Sequence, residues 1–232
     1  MIEQILPVTV KVFDTFTDPS DAVLFPGEAA LVRGTAAGRR AEFTTARDCA
    51  RRAMRRAGVA PVPILSGPCG EPLWPPGVVG SITHCAGYRA AAVSVEPGAV
   101  GIDAEPDLPL PPGVLEAVSV PREREMLLGL AARHPRTSWD RLLFSAKEAV
   151  YKAWFPLAGR WLDFQDAVIG LDAERGTFRA ELLVPGPRWM GRPLTGFNGR
   201  WRTGEGLIVT AVAAPAAPPP VPPAHPPEGD PS

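Results

Sequence analysis

Asp103 and Glu105 stand two residues apart in Gly101-Ile102-Asp103-Ala104-Glu105. Lys147, Glu148 and Lys152 stand together in Lys147-Glu148-Ala149-Val150-Tyr151-Lys152. Three carboxylates and two ammonium groups are a set able to hold a magnesium ion against a diphosphate. Hard oxygen donors with no imidazole or thiolate among them favour Mg²⁺, with Mn²⁺ as the alternative. In an extended segment residues i and i+2 project from one face, so Asp103 and Glu105 can reach the same cation. Glu148 would add a third oxygen. On a helix, Glu148 and Lys152 lie one turn apart on one face, while Lys147 points about 100° away. The lysines are informative because the chain hardly uses them: of 24 basic residues, only Lys11, Lys147 and Lys152 are not arginine. Lysine is a compact charge that can shift its pKa and give up a proton, and arginine cannot. Taken singly, each motif is also an ordinary pattern of solvated charge.

These side chains need elements to hold them. Residues 40–57 read as a helix ended by Gly58, with Phe43, Ala46, Ala50, Ala53 and Ala57 on its apolar face and Arg47, Arg51 and Arg55 on another. Residues 61–77 are rich in Pro and Gly and loop-like. Val78–Thr83 and Ala90–Val95 read as strands around a turn at 84–87, and Val100–Asp103 is a short apolar segment ending in the first carboxylate. Residues 106–113 look like a connector between two halves. Helices follow at about 121–133, with Pro121 at the first position, and 139–154, with Ser138 as N-cap. The second has an apolar stripe of Trp139, Leu142, Leu143, Ala146, Val150 and Ala153. Its polar stripe is Arg141, Ser145, Glu148 and Lys152. From 160 to 213, turn signals alternate with apolar runs such as Phe178–Val184 and Leu207–Ala213. The last of these faintly echoes Ala90–Val95, which hints at two similar halves. From Pro215 onward the chain is Pro- and Ala-rich, without apolar periodicity, and is expected to be disordered. The expected organisation is therefore 1–105, 106–213 and a tail over 214–232.

Composition excludes several classes. A net charge of −1 gives no global field for nucleic acid or an anionic membrane. The charge is uneven, however: residues 33–56 hold eight arginines against Glu42 and Asp48. That patch suits phosphates or an acidic partner, or is a solvated helix face. Cys49, Cys69 and Cys85 are odd in number and lack CxxC spacing, which argues for a reducing compartment and against a disulfide framework. His84 and Cys85 are adjacent, poor geometry for a structural zinc. The N-terminus has no signal-peptide pattern, and no apolar run is long enough to span a bilayer. A soluble, cytoplasmic protein is expected.

Three segments carry a resemblance when taken in order. They are Trp74-Pro75-Pro76-Gly77-Val78-Val79-Gly80-Ser81-Ile82-Thr83-His84-Cys85-Ala86-Gly87-Tyr88, then Gly101-Ile102-Asp103-Ala104-Glu105-Pro106, then Phe144-Ser145-Ala146-Lys147-Glu148-Ala149-Val150-Tyr151-Lys152-Ala153-Trp154. With this order and spacing the chain resembles the Sfp-type 4′-phosphopantetheinyl transferases, of the actinobacterial kind that serve polyketide and nonribosomal peptide synthases. The resemblance is strong over about residues 40–165 and weaker to about 213. It implies an α/β (α+β) fold of two similar subdomains related by a pseudo-twofold, with coenzyme A between them. It implies transfer of the phosphopantetheine arm of coenzyme A to a serine of an apo acyl or peptidyl carrier protein of a polyketide, nonribosomal peptide or fatty acid synthase, releasing 3′,5′-ADP. By position, Asp103, Glu105 and Glu148 match metal ligands, and Glu148 also matches the candidate base. Lys152 matches a lysine at the phosphates, and His84, beside Thr83, a contact to the 3′-phosphate. Arg47 matches a nucleotide-binding arginine; Arg39, Arg40 and Arg51 are looser candidates, and Lys147 is a further phosphate candidate. Cys69 stands where relatives often carry arginine or lysine, and Phe144 where other branches carry tryptophan. A monomer is expected. A magnesium pyrophosphohydrolase acting on coenzyme A or nucleotides, and a non-catalytic carrier-binding protein, are the competing classes.

Overall fold

The structure, a computed structural model, describes residues 1–96 and 98–215. A short 3₁₀ turn, Ile2–Ile5, leads into β1 (Lys11–Thr15), α1 (Pro26–Leu31), α2 (Ala37–Arg56), β2 (Val79–Cys85), β3 (Tyr88–Ser94) and β4 (Gly98–Pro106). Then come α3 (Val114–Val118), α4 (Pro121–Arg133) and α5 (Trp139–Ala158), a 3₁₀ turn at Phe164–Asp166, and the strands β5 (Ala167–Asp172), β6 (Thr177–Leu182), β7 (Arg188–Trp189), β8 (Arg192–Pro193), β9 (Gly196–Gly204) and β10 (Leu207–Pro215). The chain is mixed α/β, as expected. The segment expected to be a Pro-rich tail contributes Ala214 and Pro215 to β10; the rest of it lies outside the described residues.

Two antiparallel sheets each carry one long helix. The first has the order β1-β3-β2, and the second the order β4-β10-β9-β6-β5. Small residues let the helices approach. Cys49, Ala50, Ala53 and Met54 of α2 pack on Ala91 and Val93 of β3 and on Ile64. In α5 every residue of the expected apolar stripe is buried, joined by Ala149 and Trp154, and the stripe lies on Ile169, Phe178, Ala180, Phe197, Ile208 and Val212 of the second sheet. Gly101 is part of that contact: a Cβ there would collide with the carbonyl oxygen of Ala149 and lie 2.7 Å from the amide nitrogen of Ala153. A third core cluster joins the two sheets through Tyr88, Ala90 and Ala92 on one side and Val100, Ile102, Val209 and Ala211 on the other.

The boundary between halves differs from the expectation. β4 pairs with β10 along its whole length, from Gly98 with Pro215 to Pro106 with Leu207. The segment expected to close the first half is therefore an edge strand of the second sheet, and the division falls before residue 98. Sequence order hid this because β4 follows β3 closely while its partner lies a hundred residues on. β3 and β10, the two strands whose sequences echo each other, are both internal strands of their sheets. β2 lies beside β4 without a ladder, and hydroxyls replace it: the amide of Ile102 donates to Ser81 Oγ, and the amide of Ala104 to Thr83 Oγ1, each at 3.1 Å. Among the described residues, no helix is long and apolar enough to cross a membrane.

Candidate active site

A cleft of about 790 Å³ opens where the two helix-on-sheet units meet. One wall is α2 with the turn before it, a second is the 66–74 loop with β2, and a third is the C-terminal half of α5. Lys152 of α5 lines the cleft, and Asp103 of β4 lies against it. The Lys152 ammonium donates to Asp103 Oδ1 at 2.7 Å and to the Ile102 carbonyl at 3.2 Å. The Thr83 hydroxyl donates to the same Asp103 oxygen at 3.2 Å while accepting from Ala104, so both of its roles are fixed. Asp103 is only 4 % exposed, and its Oδ2 is buried without a partner among the described residues. A buried carboxylate oxygen with no donor is costly, so this atom is the place where a cation from solution gains most.

The other two carboxylates do not complete a preformed metal centre. Among the described residues, no three His, Cys, Asp or Glu side chains are grouped closely enough to hold a metal ion. Two of the three carboxylates are already paired with a cation. Glu105 Oε2 accepts from Arg141 Nη1 at 2.9 Å, as Asp103 accepts from Lys152. Half-buried Glu148 is the third. Burial, the largest cause, raises its pKa; Lys152 pulls it down and Asp103 pushes it up. The pKa of Glu105 is raised by burial and by Asp103, against the pull of Arg141. The all-oxygen donor set and the orphaned Asp103 oxygen still fit a hard divalent cation.

The arginines sort by what they touch. Arg39 lines the cleft, and its Nη1 lies 3.0 Å from His84 Nε2. A guanidinium only donates, so His84 Nε2 is the acceptor and the ring is neutral with its proton on Nδ1. Its pKa is lowered, by burial first and then by Arg39. Arg47 is buried under the cleft floor. It donates from Nε to the Ile64 carbonyl at 2.8 Å and from Nη2 to Ser66 Oγ at 3.2 Å, over the Phe43 ring. Burial lowers its pKa to about 10, so it stays charged at neutral pH. Three expected phosphate contacts lie elsewhere. Arg40 is exposed, bonds the Val32 carbonyl and is not in the cleft wall. Arg51 is sealed against Glu28, with Nη1 at 3.0 and 2.7 Å from its two oxygens. Lys147 is 3 % exposed and bonds Glu123 at 2.8 Å and the Phe164 and Ala167 carbonyls, away from the cleft. Its direction from Glu148 on the helix put it on the core side, where Glu123 of α4 makes burial tolerable.

Sequence reasoning passed over three features. Arg141 was visible on the polar stripe of α5, but nothing indicated that its partner is Glu105. Ser66 had no signal in a Pro- and Gly-rich stretch. A narrow trough beside Glu148, formed by Tyr151, Trp161, Leu162 and Phe164, depends on a loop that folds back onto α5. There the Tyr151 and Trp161 rings are 4.6 Å apart and Phe144 stacks on Phe164 at 5.7 Å. Cys69 is exposed in the cleft wall beside Glu71, which accepts from its amide at 2.9 Å.

Comparison with known proteins follows this division of the chain. Residues 27–94 match the 4′-phosphopantetheinyl transferase N-terminal domain, and residues 99–194 match the 4′-phosphopantetheinyl transferase superfamily. The chain is 55% identical over 221 residues to the 4′-phosphopantetheinyl transferase Svp of Streptomyces mobaraensis, covering 93% of this chain and 90% of that protein. It is 48% identical over 224 residues to Npt of Nocardia iowensis, covering 92% and 99%. It is 46% identical over 227 residues to PptT of Mycobacterium tuberculosis, covering 91% and 97%. Both halves are matched in order, and the seam between the two matches falls where β4 leaves the first sheet for the second: the chain belongs to the 4′-phosphopantetheinyl transferase family.

Proposed function

We propose that this transferase uses the cleft to bind coenzyme A and moves its 4′-phosphopantetheine arm onto a serine of an apo acyl or peptidyl carrier protein. The carriers would be those of polyketide, nonribosomal peptide or fatty acid synthases, and the enzyme a cytoplasmic monomer. In the reaction the serine Oγ forms a bond to the phosphorus bearing the pantetheine, the diphosphate bridge breaks, and 3′,5′-ADP leaves. Arg39 and the neutral His84 would receive the 3′-phosphate, with Arg47 supplying charge from below; that the three line one cleft supports this reading. Lys152 faces the diphosphate and is suited to give a proton to the departing phosphate oxygen. Glu148 takes the serine proton, directly or through a water; burial raises its pKa toward the working pH, while a cation held beside it would lower it again. Asp103 and Glu105, with Glu148, would hold Mg²⁺, which when bound neutralises charge on the diphosphate oxygens. The trough of Tyr151, Trp161 and Phe164 beside Glu148 offers an apolar lining for the arm.

The observation that carries this reading is Asp103. One of its oxygens is held by Lys152 and Thr83, while the other is buried and unsatisfied at the edge of a cleft of nucleotide size. The test is incubation with coenzyme A, Mg²⁺ and an apo carrier protein. A mass gain on the carrier of one phosphopantetheine arm is expected. Cleavage of coenzyme A with the carrier unmodified would overturn it in favour of a hydrolase.

A further inference from the structure

We propose, resting on the metal-assisted reading above, that Arg141 is a fixed counter-charge that keeps the carboxylates from binding a divalent cation until a diphosphate arrives. Asp103, Glu105 and Glu148 bring three negative charges, and Lys152 and Arg141 offset two of them. The two cations differ in freedom. Lys152 is held by Asp103 and one main-chain carbonyl, so its ammonium can swing to a phosphate. Arg141 cannot move in this way. Besides Glu105, its guanidinium bonds the carbonyls of Leu108 through Nε and Pro109 through Nη2, both at 3.1 Å. That loop is anchored independently: Asp107 Oδ1 accepts from the Ser138 amide at 2.9 Å, the Leu110 amide donates to Asp140 at 2.8 Å, and the Asp107 amide to the Gly206 carbonyl at 2.8 Å. Arg141 and Glu105 are 17 % and 20 % exposed, so water screens the pair only in part.

Consequently the carboxylate set carries a net charge of only about −1 toward an incoming cation, with Asp103 and Glu105 each already satisfied at one oxygen. The diphosphate of coenzyme A supplies both the missing negative charge and further oxygens, and it draws Lys152 off Asp103. Metal and coenzyme A then bind as a cooperative pair, each strengthening the other by the same factor. Arg141 acts through Glu105 and is a positioning residue.

The experiment measures Mn²⁺ binding by magnetic resonance of the free ion, with and without saturating coenzyme A. In the wild type, coenzyme A is expected to tighten Mn²⁺ binding about tenfold or more, within the usual range of such couplings. In Arg141→Gln, Mn²⁺ binding without coenzyme A is expected to tighten about tenfold. The gain is smaller in its presence, where phosphate oxygens supply most of the binding. Arg141→Lys keeps the charge but not the hold on Leu108 and Pro109, and is expected to tighten Mn²⁺ binding clearly less than Arg141→Gln does. The loop's three other anchors should preserve the fold, checked by thermal melting; Arg141→Met repeats the test should Gln not fold. Unchanged or weaker Mn²⁺ binding in folded Arg141→Gln, or an equal gain in Arg141→Lys, would overturn the counter-charge role. A wild type that binds no Mn²⁺ even with coenzyme A would instead overturn the metal-assisted reading itself.

Discussion

Glu148 is half-buried with one cation near it, and that cation, Lys152, is shared with Asp103. Its proton therefore leaves less readily in the fold than in the unfolded chain. A raised pKa favours the folded state fully below the unfolded value of about 4.3, and that contribution is lost as pH rises through the higher folded value. Ionisation of Glu148 thus works against folding. Glu148→Gln removes the ionisation and is expected to raise the melting temperature at pH 7. The increment should vanish near pH 4, and kcat should fall by about 10²–10⁴-fold as a general base is lost. A melting temperature that drops at pH 7 would show that Glu148 is stabilised in its charged form. Asp103→Asn is expected to cost comparable turnover, since it removes the negative charge that faces Lys152. At position 69 a cation would face the cleft beside Glu71. Cys69→Arg is expected to lower the KM for coenzyme A several-fold with kcat nearly unchanged, read by steady-state kinetics. A KM that stays level would mean Glu71 has captured the new charge.

At the scale of elements, the site depends on how close α5 can come to β4. Gly101 sets that distance, because any side chain there meets the backbone of α5 at Ala149 and Ala153. Gly101→Ala is expected to cost about 1–3 kcal/mol by overpacking and to loosen the Lys152–Asp103 contact, lowering both stability in denaturant melts and turnover. Lys147 belongs to the same helix but to its other side, where it satisfies Glu123. Glu123 also accepts from the amides of Val120 and Ile169, so it ties α4 and β5 to α5. Lys147→Met leaves that carboxylate buried without a cation, an expected loss of about 3–5 kcal/mol. Any folded Lys147→Met is expected to keep the KM for coenzyme A, and a raised KM would return Lys147 to the phosphates. These two residues mark what the sequence could tell. The periodicity of α5 identified its buried stripe and placed Glu148 and Lys152 together, because helical spacing is a local property. Arg141 with Glu105 and Lys147 with Glu123 escaped, because each is a contact between distant segments.

The molecule as a whole is two helix-on-sheet units whose seam is the cleft. Local patterns located α2, α4 and α5 and the strands β2, β3, β4, β6 and β10, but passed over β1, α1, α3, β5 and β9, and put β4 with the first half, since only its long-range pairing with β10 shows which sheet it joins. That assignment matters for function. Arg39, Arg47 and His84 stand on α2 and β2 of the first unit, while Asp103, Glu148 and Lys152 stand on β4 and α5 of the second. The direct ties between β2 and β4 are the Ser81 and Thr83 hydroxyls and the core behind them. A ligand that spans the cleft should therefore bind the two units to each other as well as to itself. At a hundred times its Kd, coenzyme A is expected to add about 2.7 kcal/mol to stability, a rise of about 5–10 °C in melting temperature. Hydrogen exchange should slow in both α2 and the 151–158 end of α5, because opening either wall would then release the ligand. Protection confined to α2 would mean that the nucleotide rests on the first unit alone and that Lys152 and Asp103 do not reach the diphosphate.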